Sequence, residues 1–140
     1  MPIQVLLIED NRPDALLVRD ALRREGLDFT VHEITDAEAV AAYVERMGNA
    51  ADAPCPDVII MDLNLPRGDG FEVLRAIRSC PACTNTPVIV TTSSDSPDDR
   101  AKVAEMGNTR YFRKPLDLDS FLRIGALVRE VLNDNAASAR

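Results

Sequence analysis

Apolar residues recur along this chain in short continuous runs and in helical stripes, and the two kinds of segment alternate from end to end. "IQVLLIE" (3–9), "FTVHEIT" (29–35), "VIIMD" (58–62), "PVIVTT" (87–92) and "TRYFRK" (109–114) read as strands. The third shows no polar alternation, which suits a strand covered on both faces of a parallel sheet. Between the strands lie helical patterns. "NRPDALLVRDALRREG" (11–26) sets Leu17 with Ala21 and Val18 with Leu22, one turn apart on one face. Pro13 suits its first turn and Gly26 its stop. "DAEAVAAYVERMG" (36–48) is capped by Asp36 and closed by Gly48. "FEVLRAIRS" (71–79) places Phe71, Leu74 and Ile77 on one side. Ser96-Pro97-Asp98-Asp99 opens a fourth helix that stops at Gly107, and a fifth covers about Asp119 to Leu132. "NDNAASAR" (133–140) reads as a frayed tail, so the expected domain is 1–132.

Strand–helix units in series predict an α/β domain: a (βα)5 doubly wound parallel sheet, flavodoxin-like, in strand order 2-1-3-4-5. Strands one and three are then neighbours, and ligands bind beyond their carboxyl ends. Strand one ends in Glu9-Asp10 and strand three in Asp62, so carboxylates converge at the predicted crevice.

Length and charge narrow the possibilities. The 140 residues make one domain, large enough for a core without staples. A net charge of −7 argues against a nucleic-acid backbone and against an anionic membrane surface. No run reaches membrane-spanning length, and the N-terminal apolar stretch is too short, with no basic flank, for a signal peptide. The expected location is the cytoplasm. The cysteines number 3, an odd count that fits a reducing compartment better than a disulfide framework. Cys80-Pro81-Ala82-Cys83 has the spacing of redox and zinc half-sites. It follows a helix rather than opening one, and Cys55 would be a third zinc ligand without a fourth. Reduced thiols without metal are the expectation, on the rim opposite Asp62.

Converging carboxylates repel and raise one another's pKa, and a hard divalent cation such as Mg²⁺ compensates. Strand four ends in the hydroxyls of "TTSS", and strand five ends in Lys114. Carboxylate nucleophile, cation, hydroxyl and ammonium together suit phosphoryl transfer. Glu9-Asp10, Asp62 in "MDLNLP", Thr92, and Lys114-Pro115 in "RKP" stand at the ends of four strands in the right order. On these residues the chain resembles a response-regulator receiver domain, the phospho-accepting module of two-component signalling, over about residues 3–132. The loop "GNAADAPCPD" (48–57) resembles that of a stand-alone subgroup that includes partners of phytochrome-type kinases.

The resemblance implies that Asp62 is phosphorylated by a sensor histidine kinase or phosphotransfer protein. Asp10 and Glu9 would hold Mg²⁺ with Asp62 and the Asn64 backbone carbonyl. Lys114 would contact the phosphoryl oxygens, with a cis peptide before Pro115. Thr92, five after Pro87 as in the family, and Tyr111 would be the switch pair. The chain would be no enzyme beyond catalysing its own phosphorylation and dephosphorylation. Its signal would leave through helix four, strand five and helix five, by homodimerisation or by docking a target. Met106, Phe112, Leu122 and Ile124 are the apolar candidates there, among Arg110, Arg113, Asp117 and Asp119.

Rival readings meet specific obstacles. An aspartate phosphatase wants a second acid two residues after the nucleophile, where Asn64 stands. Dinucleotide binding wants a glycine fingerprint that "IEDNRPD" lacks. His32, the single histidine, lies in a strand and makes no phosphotransfer case. A binding module that has lost phosphorylation would not need Asp10, Asp62, Thr92 and Lys114 together.

Overall fold

The computed structural model describes residues 2–138. The strands are β1 (Ile3–Ile8), β2 (Phe29–Ile34), β3 (Val58–Asp62), β4 (Val88–Thr92) and β5 (Thr109–Arg113). The helices are α1 (Arg12–Arg24), α2 (Ala37–Arg46), α3 (Gly70–Arg78), α4 (Pro97–Ala104), α5 (Leu118–Phe121) and α6 (Ile124–Ser138). The sheet is parallel with order β2-β1-β3-β4-β5, as expected.

Alternate residues of the central strands face opposite layers. Leu6, Ile8, Ile59, Met61, Val88 and Val90 pack with α2 and α3. Val5, Leu7, Val58, Ile60 and Ile89 pack with α1, α5 and α6. Ile59 and Ile60 are both essentially inaccessible, so β3 is covered on both faces, and each side chain contributes roughly 1.5–3 kcal/mol of burial. Helix starts are capped from the sequence: Asn11, Asp36, Asp69, Ser96 and Asp117 each accept a backbone N–H of the first turn.

The C-terminal region departs from expectation. The single fifth helix is two: α5 ends at Phe121, and α6 runs from Ile124 past Leu132 to Ser138, so residues 133–138 continue a helix rather than fray. An added Cβ on Gly125 would lie 2.5 Å from the Ala21 carbonyl oxygen, so α6 meets α1 backbone to backbone. Val128 and Val131 then pack on the core, which gives the helix a reason to persist.

The cysteines also depart from expectation. Cys55, in the loop before β3, is joined by a disulfide to Cys83, in the 3-10 turn Pro81–Cys83 after α3. Their Cα atoms are 5.6 Å apart, inside the range a disulfide spans. Cys80 is a free thiol, buried, and donates to the Met47 carbonyl at 3.3 Å. This corrects the expectation of a reduced thiol at Cys83: the bond joins loops brought together by the fold, which local spacing does not display. It also removes the cysteine argument for a reducing compartment. Gly48 fits against this bond with a left-handed φ of 79°, and a Cβ there would stand 2.9 Å from the Cys55 sulfur and 3.0 Å from that of Cys83.

Candidate phosphoryl-acceptor site

Parallel register builds the site. Ile8 pairs with Met61, so the residues that follow, Glu9-Asp10 and Asp62, emerge side by side. Glu9 and Asp62 are buried while Asp10 is exposed. One carboxylate oxygen from each of Glu9, Asp10 and Asp62 lies within 4.8 Å of the others. Asp62 Oδ1 accepts the Asn64 N–H at 2.8 Å, which folds the loop back over the strand end.

Lys114 comes from the far side of β4. Its N–H continues the sheet by donating to the Thr92 carbonyl at 2.8 Å. Its Nζ donates to Glu9 Oε1 at 2.7 Å, Asp14 Oδ2 at 2.8 Å and Asp62 Oδ2 at 2.8 Å. Burial alone would lower the Lys114 pKa, but the bonds to Asp14, Asp62 and Glu9 outweigh it and raise the pKa above its ordinary value. Burial pushes Glu9 up to about 7; Lys114 pulls it down and the Asp62 charge adds to the rise. The peptide bond before Pro115 is trans, as are the others among the described residues, which corrects the expected cis geometry.

Thr92 and Tyr111, the expected switch pair, are joined by a chain of contacts. Thr92 Oγ1 accepts the Ser94 N–H at 3.1 Å and lies 3.4 Å from the Asn64 side-chain amide nitrogen, its second donor. The neighbouring Thr91 hydroxyl is spent on the Met61 carbonyl at 3.3 Å, so Thr92 is the hydroxyl that faces Asn64. Tyr111 donates its hydroxyl to the Ser94 carbonyl at 2.7 Å, and Arg100 sits 4.3 Å over its ring. Ser94 therefore touches both Thr92 and Tyr111 through its backbone.

Asp14 is the site residue that the sequence reading passed over. It lies one helical turn after Asp10, which was the available signal. An acid in the first turn of a helix is so often only a match for the helix dipole that the spacing carried no weight.

The donor set suits a hard divalent cation. Three carboxylates converge, one of them exposed, and the single ammonium leaves most of their charge unbalanced. Beside them, Asp14, Lys114, Arg113 and Leu118 line an open groove of about 680 Å³.

A parallel 2-1-3-4-5 sheet with this acid cluster and lysine at its carboxyl rim is the arrangement of a receiver. The chain matches the response regulator receiver domain over residues 5–124 and belongs to that family of two-component signalling. It is similar to the response regulator Rcp1 of Synechocystis sp., with 32% identity over 88% of this chain and 84% of that protein. Among solved structures it resembles the phosphorylated cyanobacterial phytochrome response regulator RcpA, with a TM-score of 0.83, 32% identity and 95% of each chain covered. It also resembles the Mn²⁺-bound form of Rcp1, with a TM-score of 0.81, 31% identity, and 92% and 93% of the two chains covered. Among the described residues no helix is long and apolar enough to cross a membrane.

Proposed function

We propose that this chain accepts a phosphoryl group on Asp62 from a histidine kinase or a phosphotransfer protein, with Mg²⁺ as the cation. The observation that carries the reading is the Lys114 ammonium, 2.8 Å from the Asp62 carboxylate beside the acidic cluster. An Asp62 oxygen attacks phosphorus, and the bond from phosphorus to the donor's imidazole nitrogen breaks. That nitrogen keeps the electron pair. Lys114 and the Thr92 hydroxyl donate to the phosphoryl oxygens. Glu9, Asp10, Asp62 and the Asn64 carbonyl would hold the Mg²⁺, which would supply further charge neutralisation. The chain acts on no other substrate; it promotes its own phosphorylation and dephosphorylation. Cytoplasmic residence follows from a cytoplasmic donor.

Output runs through Ser94. The Thr92 hydroxyl now accepts from the Ser94 N–H, and turning it toward a phosphoryl oxygen disturbs that bond. The Ser94 carbonyl carries the change to Tyr111 and so to the α4, β5 and α6 face. The residues of this face correct the sequence expectation. Ile124 is fully buried and so is no apolar contact for a partner, while Phe112 is half-buried, edge-on against Phe121. Met106, Phe112 and Leu122 are half-buried there, among exposed ion pairs: Arg110 with Glu130 and Asp134, and Asp95 with Arg100 and Arg113. A homodimer or target docked there would exchange these exposed pairs for intermolecular ones.

The test is intact-mass spectrometry with Mg²⁺ and acetyl phosphate or a kinase. One hydroxylamine-labile phosphoryl group is expected on the wild type and none on Asp62→Asn. Undiminished label on Asp62→Asn would overturn the assignment.

A further inference from the structure

We infer that Asp14 is a positioning residue for phosphoryl transfer: it holds the Lys114 ammonium at the acceptor once Glu9 and Asp62 are engaged elsewhere. The inference rests on the phosphoryl-acceptor reading of Asp62.

Lys114 has three N–H groups and three carboxylate partners. Two of the partners, Glu9 and Asp62, belong to the convergent set that suits a cation; Asp14 does not. Engaging Glu9 and Asp62 with a cation withdraws their oxygens from Lys114, and converting Asp62 into an acyl phosphate removes its carboxylate charge. The Asp14 bond survives both events. It leaves two N–H groups free, enough to reach a phosphoryl group on Asp62.

The local structure of α1 makes Asp14 available for this. Asn11 caps the helix and accepts the Asp14 N–H at 3.0 Å, which fixes the Asp14 backbone. A carboxylate at this third helical position ordinarily bonds back to the N–H of the capping residue. Here the Asn11 N–H is already taken by Glu9 Oε2 at 3.2 Å. The Asp14 side chain is thereby released from the reciprocal cap and turns across the site to Lys114. The Lys114 side chain is only 9% exposed and that of Asp14 22%, so the pair is sheltered enough for the bond to hold.

A purely electrostatic role for Asp14 predicts the opposite outcome from a positioning role. Removing a negative charge beside the acceptor would speed reaction with an anionic donor. Removing the anchor of Lys114 slows it. The experiment uses the full chain, its Asp14→Asn and Asp14→Glu variants, MgCl₂ and acetyl phosphate, with the Asp62 phosphorylation rate followed by intact mass. Asp14→Asn is expected to slow the reaction by about tenfold or more, the scale of one lost hydrogen bond between charged groups. Asp14→Glu should restore part of the rate.

The second readout is the ¹⁵N signal of the Lys114 ammonium with MgCl₂ and beryllofluoride. It should be protected from exchange in the wild type and Asp14→Glu, and lost in Asp14→Asn. An Asp14→Asn rate equal to or above wild type, or an ammonium signal unchanged by that substitution, would overturn the inference. If the wild type takes no phosphoryl group at all, the acceptor reading fails instead. The ammonium signal, recorded with MgCl₂ alone, still reports whether Asp14 holds Lys114.

Discussion

Breaking the Cys55–Cys83 bond should cost the domain a large share of its stability while leaving the chemistry at Asp62 untouched. The bond closes a loop of 28 residues. Loop-closure entropy for that length corresponds to about 3.6 kcal/mol at 25 °C. Domains of this kind are stable by roughly 5–15 kcal/mol, so the loss is a substantial fraction, and it lowers the melting temperature by about 10 °C or more. The freed thiols stay packed, since Cys83 is 2% exposed and the Cys55 sulfur lies 3.2 Å from the Ala82 carbonyl. No cavity term is therefore added to the entropic one. The assay is urea denaturation of a Cys80→Ala background with and without a phosphine reductant, the substitution removing thiol exchange. A Cys55→Ser variant serves as the genetic equivalent. The amino-terminal rim carries the bond and the opposite rim carries Asp62, so phosphorylation by acetyl phosphate should change by less than about twofold. A stability loss below about 1 kcal/mol would refute the loop-closure reasoning. Three titratable thiols in the denatured, unreduced wild type, or two in the Cys80→Ala background, would refute the bond itself.

Other outcomes follow from the site. Asp10→Asn should weaken Mg²⁺ binding, read by calorimetry, while the thermal melt stays at or above the wild-type value because a repelling carboxylate is removed. Glu9, pushed up to about 7 from 4.5, favours the folded metal-free state most fully below pH 4.5, and that stability is lost as pH rises through 7. Metal-free wild type should thus lose on the order of 1–3 kcal/mol between pH 5 and 8 relative to Glu9→Gln; parallel pH profiles for the two proteins would refute this. Ser94→Glu places a carboxylate beside the acceptor and should change the decay rate of phosphorylated Asp62; an unaltered half-life would show that Ser94 does not face the attacking water. Beryllofluoride should strengthen association through the α4, β5 and α6 face by roughly 1–3 kcal/mol. Sedimentation velocity of wild type and Arg113→Glu reads this, and indifference of both to beryllofluoride would sink it.

Most of the sheet was legible because β1, β3 and β4 are built on compact apolar runs between clear helix caps and stops. Parallel order then placed Glu9, Asp10, Asp62, Thr92 and Lys114 on one rim without further information. What escaped depended on contacts between distant segments. Asp14 joins the site through Lys114, 100 residues further along the chain, a contact no local pattern displays. Cys55 found Cys83 rather than a near neighbour because two loops meet beneath the sheet. Phe112 and Ile124 looked like surface contacts on an edge, yet Phe112 turns inward onto Phe121 and Ile124 docks on the core. Residues 133–138 read as a frayed tail, yet Asp134 pairs with Arg110 and Asn135 accepts from Asn108, partners in a different segment of the chain.

The order in which the site's charges occur along the chain bears on how the protein is made. Glu9, Asp10, Asp14 and Asp62 all precede Lys114, which lies 105 residues after Glu9 and 52 after Asp62. During synthesis the ribosome releases β1, β2 and β3 first, including the neighbouring pair at the centre of the sheet. That partial sheet gathers the carboxylates before Lys114 exists to balance them, and their repulsion opposes the closing of β1 on β3. It also leaves the apolar edge of β3 unpaired, a template for association between nascent chains. Free Mg²⁺ at the ribosome would relieve the first problem; only β4 relieves the second. Charge balance and sheet completion thus arrive together with the last strands, so truncation before residue 114 leaves a domain that is both sticky and electrostatically open.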